Sequence, residues 1–419
     1  MTTRTPIRSA CFQPDNYTDL ALFADRQDQV DDLSAILESF LEPGAPGEGR
    51  VLVRGHRGVG KSILTRAALQ RVIDTMGPLT VTVDAARTGH GTDAFLRRLA
   101  ADLSREAIEN VTDGTLVTCA ELLRRFSEST KVTVRETQQW ARSLQLGVST
   151  KYHFLDKVQF EFGLTRAATR SRTVEDSYER TVDENFLREL IQEFLSDCRE
   201  AGQYTVLFLD NLDQVGYGEI EEDVKRVTNL ARHLFSLRNA VIVANLRSEF
   251  VSADLRKLYS HEVLVEGMRA EELMLVAQAR MKKASERSRE AMKSAGFLDI
   301  ARQLTRWTNN AWGFLNWLMF LDYQPIEFSP DDEQAMRRAL MRFAEQRYAG
   351  LRSGEIERIG NVFKGDPTRF LTAAELDTHG VTQELLERAV RYGALIPDWL
   401  LSPDRYMLAP GLHFLAPRS

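Results

Sequence analysis

Gly55-His56-Arg57-Gly58-Val59-Gly60-Lys61-Ser62 follows directly on the apolar run Val51-Leu52-Val53, and that junction decides the fold. The octapeptide satisfies G-x-x-x-x-G-K-[ST]. Its glycines let backbone N–H groups close around phosphate oxygens, the lysine reaches the β- and γ-phosphates, and the hydroxyl ligates Mg²⁺. A helix is expected from Ser62 to Met76, whose positive N-terminal end adds to anion binding. Gly55, His56, Arg57, Gly58, Val59, Gly60, Lys61, Ser62 and Ile63 are therefore candidate contacts for ATP, with Ser62 a candidate ligand of Mg²⁺.

Composition bounds the rest. At 419 residues, with 43% hydrophobic and 27% charged, the chain suits a soluble globular protein of two or three domains. A net charge of -6 supplies no global basic field for nucleic acid, which leaves only a local patch for that purpose. Cys11, Cys119 and Cys198 are far apart and match no metal-ligand spacing, so they read as buried thiols in a reducing compartment. Met1 to Phe12 lacks the apolar core of a signal peptide, and Trp312 to Leu321 is too short for a membrane span and carries Asn316. A cytoplasmic protein with no membrane partner is the expectation.

Five aliphatic runs, Val51–Val53, Leu79–Val83, Thr205–Leu209, Ala240–Ala244 and Glu262–Val265, alternate with helical spacers. The pattern predicts an α/β fold, a parallel sheet with helices on both faces. Ahead of it, Val30, Leu33, Ile36, Leu37 and Phe40 recur at helical period. Helices are predicted over Thr92 to Val111 and Ala120 to Ser127. Leu144, Leu146, Val148, Tyr152 and Phe154, then Val158, Phe160, Phe162 and Leu164, alternate with more polar residues, which predicts an inserted β-hairpin turning near Leu155-Asp156. Arg166, Arg170 and Arg172 follow it, as a solvated linker or a phosphate-binding strip. Arg269 to Glu290 and Leu298 to Leu321 read as two long helices of a lid. From Asp331 the order of helices followed by short extended pieces at Ala394–Pro397 and Tyr406–Leu408 fits a winged helix. The expected domains are a core over 1–265, with its insertion at about 115–180, a helical lid over 266–328, and a winged-helix domain over 329–419.

Thr205-Val206-Leu207-Phe208-Leu209-Asp210 is an apolar strand ending in a carboxylate, which would bring Asp210 rigidly to the Mg²⁺ shell beside Ser62. The next residue, Asn211, cannot accept a proton. Asp213 is then the candidate for orienting water, with helix capping an equal alternative. Asn245 and Arg247, after the fourth run, are candidates for sensing the γ-phosphate or for capping the strand end. Arg256 and Lys257 precede the fifth run, where a cation could reach a neighbouring copy's nucleotide or form a surface pair.

Together these residues resemble the AAA+ and STAND branches of P-loop NTPases, most of all the Orc/Cdc6-like arrangement. Phe23-Ala24-Asp25-Arg26 resembles the box that shapes the adenine pocket, Gly55–Ser62 Walker A, Leu207–Asp213 Walker B, and Asn245-Leu246-Arg247 sensor 1. Ser252–Val265 resembles the segment bearing an arginine finger, which implies a role in trans for Arg256, and Ala24 and Arg26 become adenine-side candidates. Three departures stand out. Asn211 replaces the Walker B glutamate, Ala24 the box glycine, and Trp307-Thr308-Asn309-Asn310-Ala311-Trp312-Gly313 lacks a sensor 2 arginine. The resemblance implies a Mg²⁺-dependent ATPase acting as a nucleotide-gated switch, a homo-oligomer or partner-binding protein, with a setting such as antiphage defence. The alternatives are a DNA-binding initiator or loader, which the balanced charge of Thr382 to Tyr392 argues against, and a non-hydrolysing scaffold.

Overall fold

The computed structural model describes residues 11–13, 20, 26–42, 44–85, 91–143, 152–161, 179–212, 220–323, 332–398 and 404–416. Helix α1 (Gln27–Leu41) precedes β1 (Gly49–Gly55), which runs through the phosphate loop into α2 (Lys61–Met76) and β2 (Leu79–Asp84). Between β2 and β5 lie α3 (Thr92–Asn110), α4 (Gly114–Glu128), β3 (Lys131–Thr133), α5 (Val134–Ser143), α6 (His153–Glu161), β4 (Glu179–Thr181) and α7 (Glu184–Glu200). The sheet resumes with β5 (Thr205–Asp210), α8 (Ile220–Phe235), β6 (Val241–Arg247), the single turn α9 (Ala253–Arg256) and β7 (His261–Leu264).

Strands β2, β5, β6, β1 and β7 lie side by side in that order, all parallel, as the five aliphatic runs predict. Every residue of β5 is buried, which is what a continuous hydrophobic run in the middle of a two-faced sheet requires. The two faces are divided by alternation. Val206 and Phe208 join Val51, Val53 and helices α1 and α2, whereas Leu207 and Leu209 join Val81, Ile242 and helices α3, α4 and α7. Among the described residues no helix is long and apolar enough to cross a membrane. Cys119 and Cys198 are buried thiols in the α4 and α7 layer.

The inserted hairpin is not formed across 153–161. Those residues are helix α6, and the expected turn at Leu155-Asp156 lies inside it. The period distinguishes the two: Phe154, Leu155 and Val158 are buried, while Phe160, which would share a strand face with Phe154 and Val158, is 83% exposed. Asp197 on α7 anchors the helix start, accepting from the backbone N–H of His153 at 2.7 Å and of Phe154 at 2.9 Å, two donors with no partner in their own first turn. The remaining alternating positions in 144–151 and 162–164, with Arg166, Arg170 and Arg172, lie outside the described residues. A short antiparallel ribbon does occur, between β3 and β4.

Beyond the sheet, the two long helices expected of the lid are four: α10 (Ala270–Lys283), α11 (Glu286–Ser294), α12 (Phe297–Leu304) and α13 (Ala311–Tyr323). Ser285 breaks the first pair by accepting the N–H of Ser288, an N-cap in mid-run. Then come α14 (Glu333–Arg347), α15 (Ser353–Val362), β8 (Leu371–Thr372), α16 (Ala373–Thr378), α17 (Gln383–Arg391), β9 (Leu395–Pro397) and β10 (Arg405–Leu408), the strands forming an antiparallel sheet in the order β8, β10, β9. Helices α10 to α13 and the C-terminal elements share one core: Phe314 and Trp317 of α13 pack with Phe363, Leu412 and Phe414, and the Trp317 indole N–H donates to Gly411 O at 3.1 Å.

Burial raises the Asp197 carboxyl from an ordinary 3.8 to about 6, against the lowering effect of its two N–H donors. Between those values the folded chain holds a proton that the unfolded chain has released, so this group's contribution to stability declines as pH rises through that window. Asp197→Ala should lose the cap, about 1–2 kcal/mol in a denaturant titration at neutral pH. The advantage of wild type over Asp197→Asn should shrink from about pH 4 to about 6 and then level off; a pH-independent difference would contradict the assignment.

Candidate nucleotide site

The phosphate loop owes its shape to Gly58 and Gly60, at φ +79° and +99°, conformations that cost a side-chain-bearing residue energy. Lys61 opens α2, and its ammonium donates to the carbonyls of Gly55 at 2.9 Å and His56 at 3.0 Å, so the charge spans the mouth of the loop. The first N–H groups of α2 have no acceptor within the helix and are available to phosphate oxygens.

Helix α2 then turns a single face toward β5. Thr65 and Arg66 stand about one turn beyond Ser62. Ser62 Oγ donates to Asp210 Oδ1 at 2.8 Å, Asn245 Nδ2 donates to the same oxygen at 3.2 Å, and Thr65 Oγ1 donates to Asn245 Oδ1 at 2.9 Å. The other Asp210 oxygen, Oδ2, is buried without a hydrogen bond, and its nearest cation is Arg66, 3.6 Å away. Burial raises the Asp210 carboxyl above the usual carboxylate range, opposed by Ser62, Asn245 and Arg66 and reinforced by the negative charge of Asp84. A hydroxyl beside a buried carboxylate with one unsatisfied oxygen is a donor set that fits Mg²⁺.

The sequence candidates therefore divide. Ser62, Asp210 and Asn245 are brought together, and Lys61 faces the same loop. Arg26, buried with φ +67°, is a clamp: it donates to Val59 O at 3.1 Å and to Glu266 O at 2.7 Å, tying the phosphate loop to the segment that leads into α10. Arg247 stacks over Phe250, 4.6 Å from its ring centre. Arg256 pairs with Glu262 at 3.5 Å on the edge strand β7, away from the Asp210 cluster, and Lys257 pairs with Asp254 at 3.0 Å. Ala24 and Asp213 lie outside the described residues. Asn211, at φ +56°, donates through its side chain to Asp84 Oδ1 at 2.9 Å. Sequence reasoning passed over Thr65, Arg66 and Asp84. The signals were present: helical spacing from Ser62 for the first two, and a strand ending in a carboxylate for the third.

Sequence reasoning also missed the contact between the phosphate loop and the start of α13. Asn310 Nδ2 donates to Arg57 O at 2.6 Å, and the Trp312 backbone N–H donates to Gly58 O at 3.0 Å. Asn310 is itself fixed, its N–H held by Thr308 Oγ1 and its Oδ1 by the N–H of Gly313, both at 3.0 Å. The Trp312 ring carries the guanidinium groups of Arg57 and Arg347, each 5.0 Å from its centre. Phe370, next to β8, lies 5.9 Å from the His56 ring. A Cβ on Gly58 would stand 2.1 Å from that of Trp312. Gly58→Ala should therefore unseat residues 308–313 from the loop, read as faster hydrogen exchange across that segment; unchanged exchange in a folded variant would show that the contact does not hold it.

The family model for the AAA ATPase domain (AAA_16) matches residues 23–243. Among solved structures the chain is similar to the Walker-type ATPase PABY2304 of Pyrococcus abyssi, at 16% identity over 93% of this chain and 95% of that one with a TM-score of 0.41. It is also similar to the ORC2 protein of Aeropyrum pernix, at 10% identity over 97% and 96% with a TM-score of 0.42. Cdc6p of Pyrobaculum aerophilum follows at 13% identity over 96% and 94%, TM-score 0.40. No protein of curated function matches. The model's match takes in more than half of the chain, including the phosphate loop, α2 and Asp210, and on it the protein belongs to the AAA ATPase domain family.

Proposed function

We propose that this chain binds ATP with Mg²⁺, hydrolyses it, and uses the nucleotide state to set the lid and thereby assembly or partner binding. The observation that carries this reading is the Ser62–Asp210–Asn245 cluster with its unsatisfied Asp210 oxygen, beside a phosphate loop hydrogen-bonded to the lid. In this reading Gly55 to Ile63 cradle the phosphates, Lys61 neutralises the β- and γ-oxygens, and Ser62 and Asp210 hold Mg²⁺. Bound metal supplies charge neutralisation at the phosphates. Asn245 and Arg247 serve as sensors, and Asp213 is kept as a water-orienting candidate. Ala24 and Arg26 belong to the adenine side.

The order α15, β8, α16, α17, β9, β10 supports a winged helix for 329–419, and the lid is assigned to 266–328. We read that module as a protein-contact element. In α17, Arg388 is held by Glu355 at 3.0 and 2.9 Å and by Gly350 O at 2.8 Å, and it lies beside Glu384 and Glu387, which leaves the helix without a basic face for DNA. Tight, specific duplex binding at physiological salt in an anisotropy titration would favour the loader alternative instead. A cytoplasmic switch in signalling or antiphage defence rests on the STAND resemblance alone; phage plating with and without the gene tests it, and equal plating of a broad phage panel would count against it.

Lys61→Ala should weaken binding of a fluorescent ATP analogue by tenfold or more, about 1.4 kcal/mol at least, while the fold persists. Asp210→Ala should abolish the Mg²⁺ dependence of that binding. A folded Lys61→Ala protein with wild-type affinity would end the assignment. Arg256 and Arg54, both paired with Glu262 on the exposed edge strand, support contact with a neighbouring copy. Mixing inactive Arg256→Ala with inactive Lys61→Ala should then recover part of the turnover, and full activity of Arg256→Ala alone would remove it from the site.

A further inference from the structure

We propose that Asp84, at the tip of β2, is the carboxylate that orients and deprotonates the attacking water, and that Asn211 is its positioning residue. The proposal rests on the hydrolytic reading above and names the residue that reading leaves open. Asp84 and Asp210 are partners in register at the ends of adjacent parallel strands, so their Cα atoms stand about 4.8 Å apart. Two carboxylates thus share the edge of the sheet where the phosphate loop and Asn245 also lie.

Their surroundings separate their tasks. Asp210 is 1% exposed and engaged by Ser62, Asn245 and the Asn211 backbone, the setting of a metal ligand. Asp84 is only half-buried, within reach of water. Asn211 follows the metal carboxylate directly and is unable to act as a base, since its amide nitrogen can only donate. Its left-handed backbone, a conformation asparagine tolerates better than most residues, turns the amide across to the neighbouring strand, where it grips Asp84 Oδ1. The bond fixes the direction of the carboxylate.

The step balances without a further reactant. The water oxygen forms a bond to the γ-phosphorus, the bond from that phosphorus to the β–γ bridging oxygen breaks, and its electron pair stays on ADP. The water proton passes to Asp84 and from there to solvent. The products are ADP and inorganic phosphate.

The test uses the full chain and compares wild type, Asp84→Asn, Asp213→Asn, and the exchanged pair Asp84→Asn with Asn211→Asp. Three quantities are read: kcat, the affinity for the Mg²⁺ complex of a fluorescent ATP analogue, and the nucleotide recovered from the protein after a single-turnover incubation with ATP. Asp84→Asn should lower kcat by about 10²–10⁴-fold, hold nucleotide affinity within about threefold, equivalent to less than about 1 kcal/mol, and return intact ATP where wild type returns ADP. The exchanged pair, which restores an acid hydrogen-bonded to an amide, should recover at least tenfold of that loss. The proposal is overturned by a near-wild-type kcat in Asp84→Asn, by affinity falling in step with kcat, by the loss appearing only in Asp213→Asn, or by a wild type that binds ATP and never cleaves it. A wild type that binds no ATP would instead bring down the nucleotide reading itself.

Discussion

The bond between Ser62 and Asp210 joins the first turn of α2 to the end of β5, and the arrangement of the site depends on it. It requires a buried carboxylate, which is costly unless satisfied. Ser62 and Asn245 satisfy one oxygen, and the other, without a hydrogen bond, has the Arg66 guanidinium 3.6 Å away. The parallel sheet makes this possible, because β1, β5 and β6 all end on the same edge and deliver the loop, the carboxylate and the amide together. An antiparallel neighbour would have sent one of these groups to the opposite edge.

The second constraint lies at the crest of the loop. The carbonyls of Arg57 and Gly58 accept from Asn310 and Trp312, and Arg26 holds Val59 from the other side while gripping Glu266 just ahead of α10. The phosphate loop is therefore bonded to the start of α13 and to the segment that leads into α10. Since α13 shares its core with the C-terminal strands and helices, a shift of Trp312 has a packed route to them through Phe314, Trp317 and Phe414. In the function proposed above, differential contact at the loop is the physical basis on which a nucleotide would bias α10 to α13.

Much of this was legible in the sequence, and the exceptions have specific causes. The sheet strands are β-branched or aliphatic runs bounded by helical spacers, a signal with little competition, and the phosphate loop and Asp210 follow from them. Residues 153–161 misled because Phe154 and Val158 are four apart, a spacing that both a strand face and a helix face accept; the burial of Leu155 beside Phe154 and the exposure of Phe160 separate the two. The break at Ser285 carries neither glycine nor proline, so the lid read as longer helices. The seating of Asn310 and Trp312 on the loop joins positions some 250 residues apart in the chain, and no local pattern announces such a pairing. Asn211 read as a loss, whereas its partner Asp84 lies on another strand and becomes visible only once the register is known.

Hydrogen–deuterium exchange across residues 308–313, measured with and without saturating ATP and Mg²⁺, tests the coupling of loop and lid most directly. The account predicts that nucleotide changes protection at the Trp312 and Gly313 amides in wild type and leaves it unchanged in Lys61→Ala. Identical exchange in the two states, with nucleotide demonstrably bound, would contradict it.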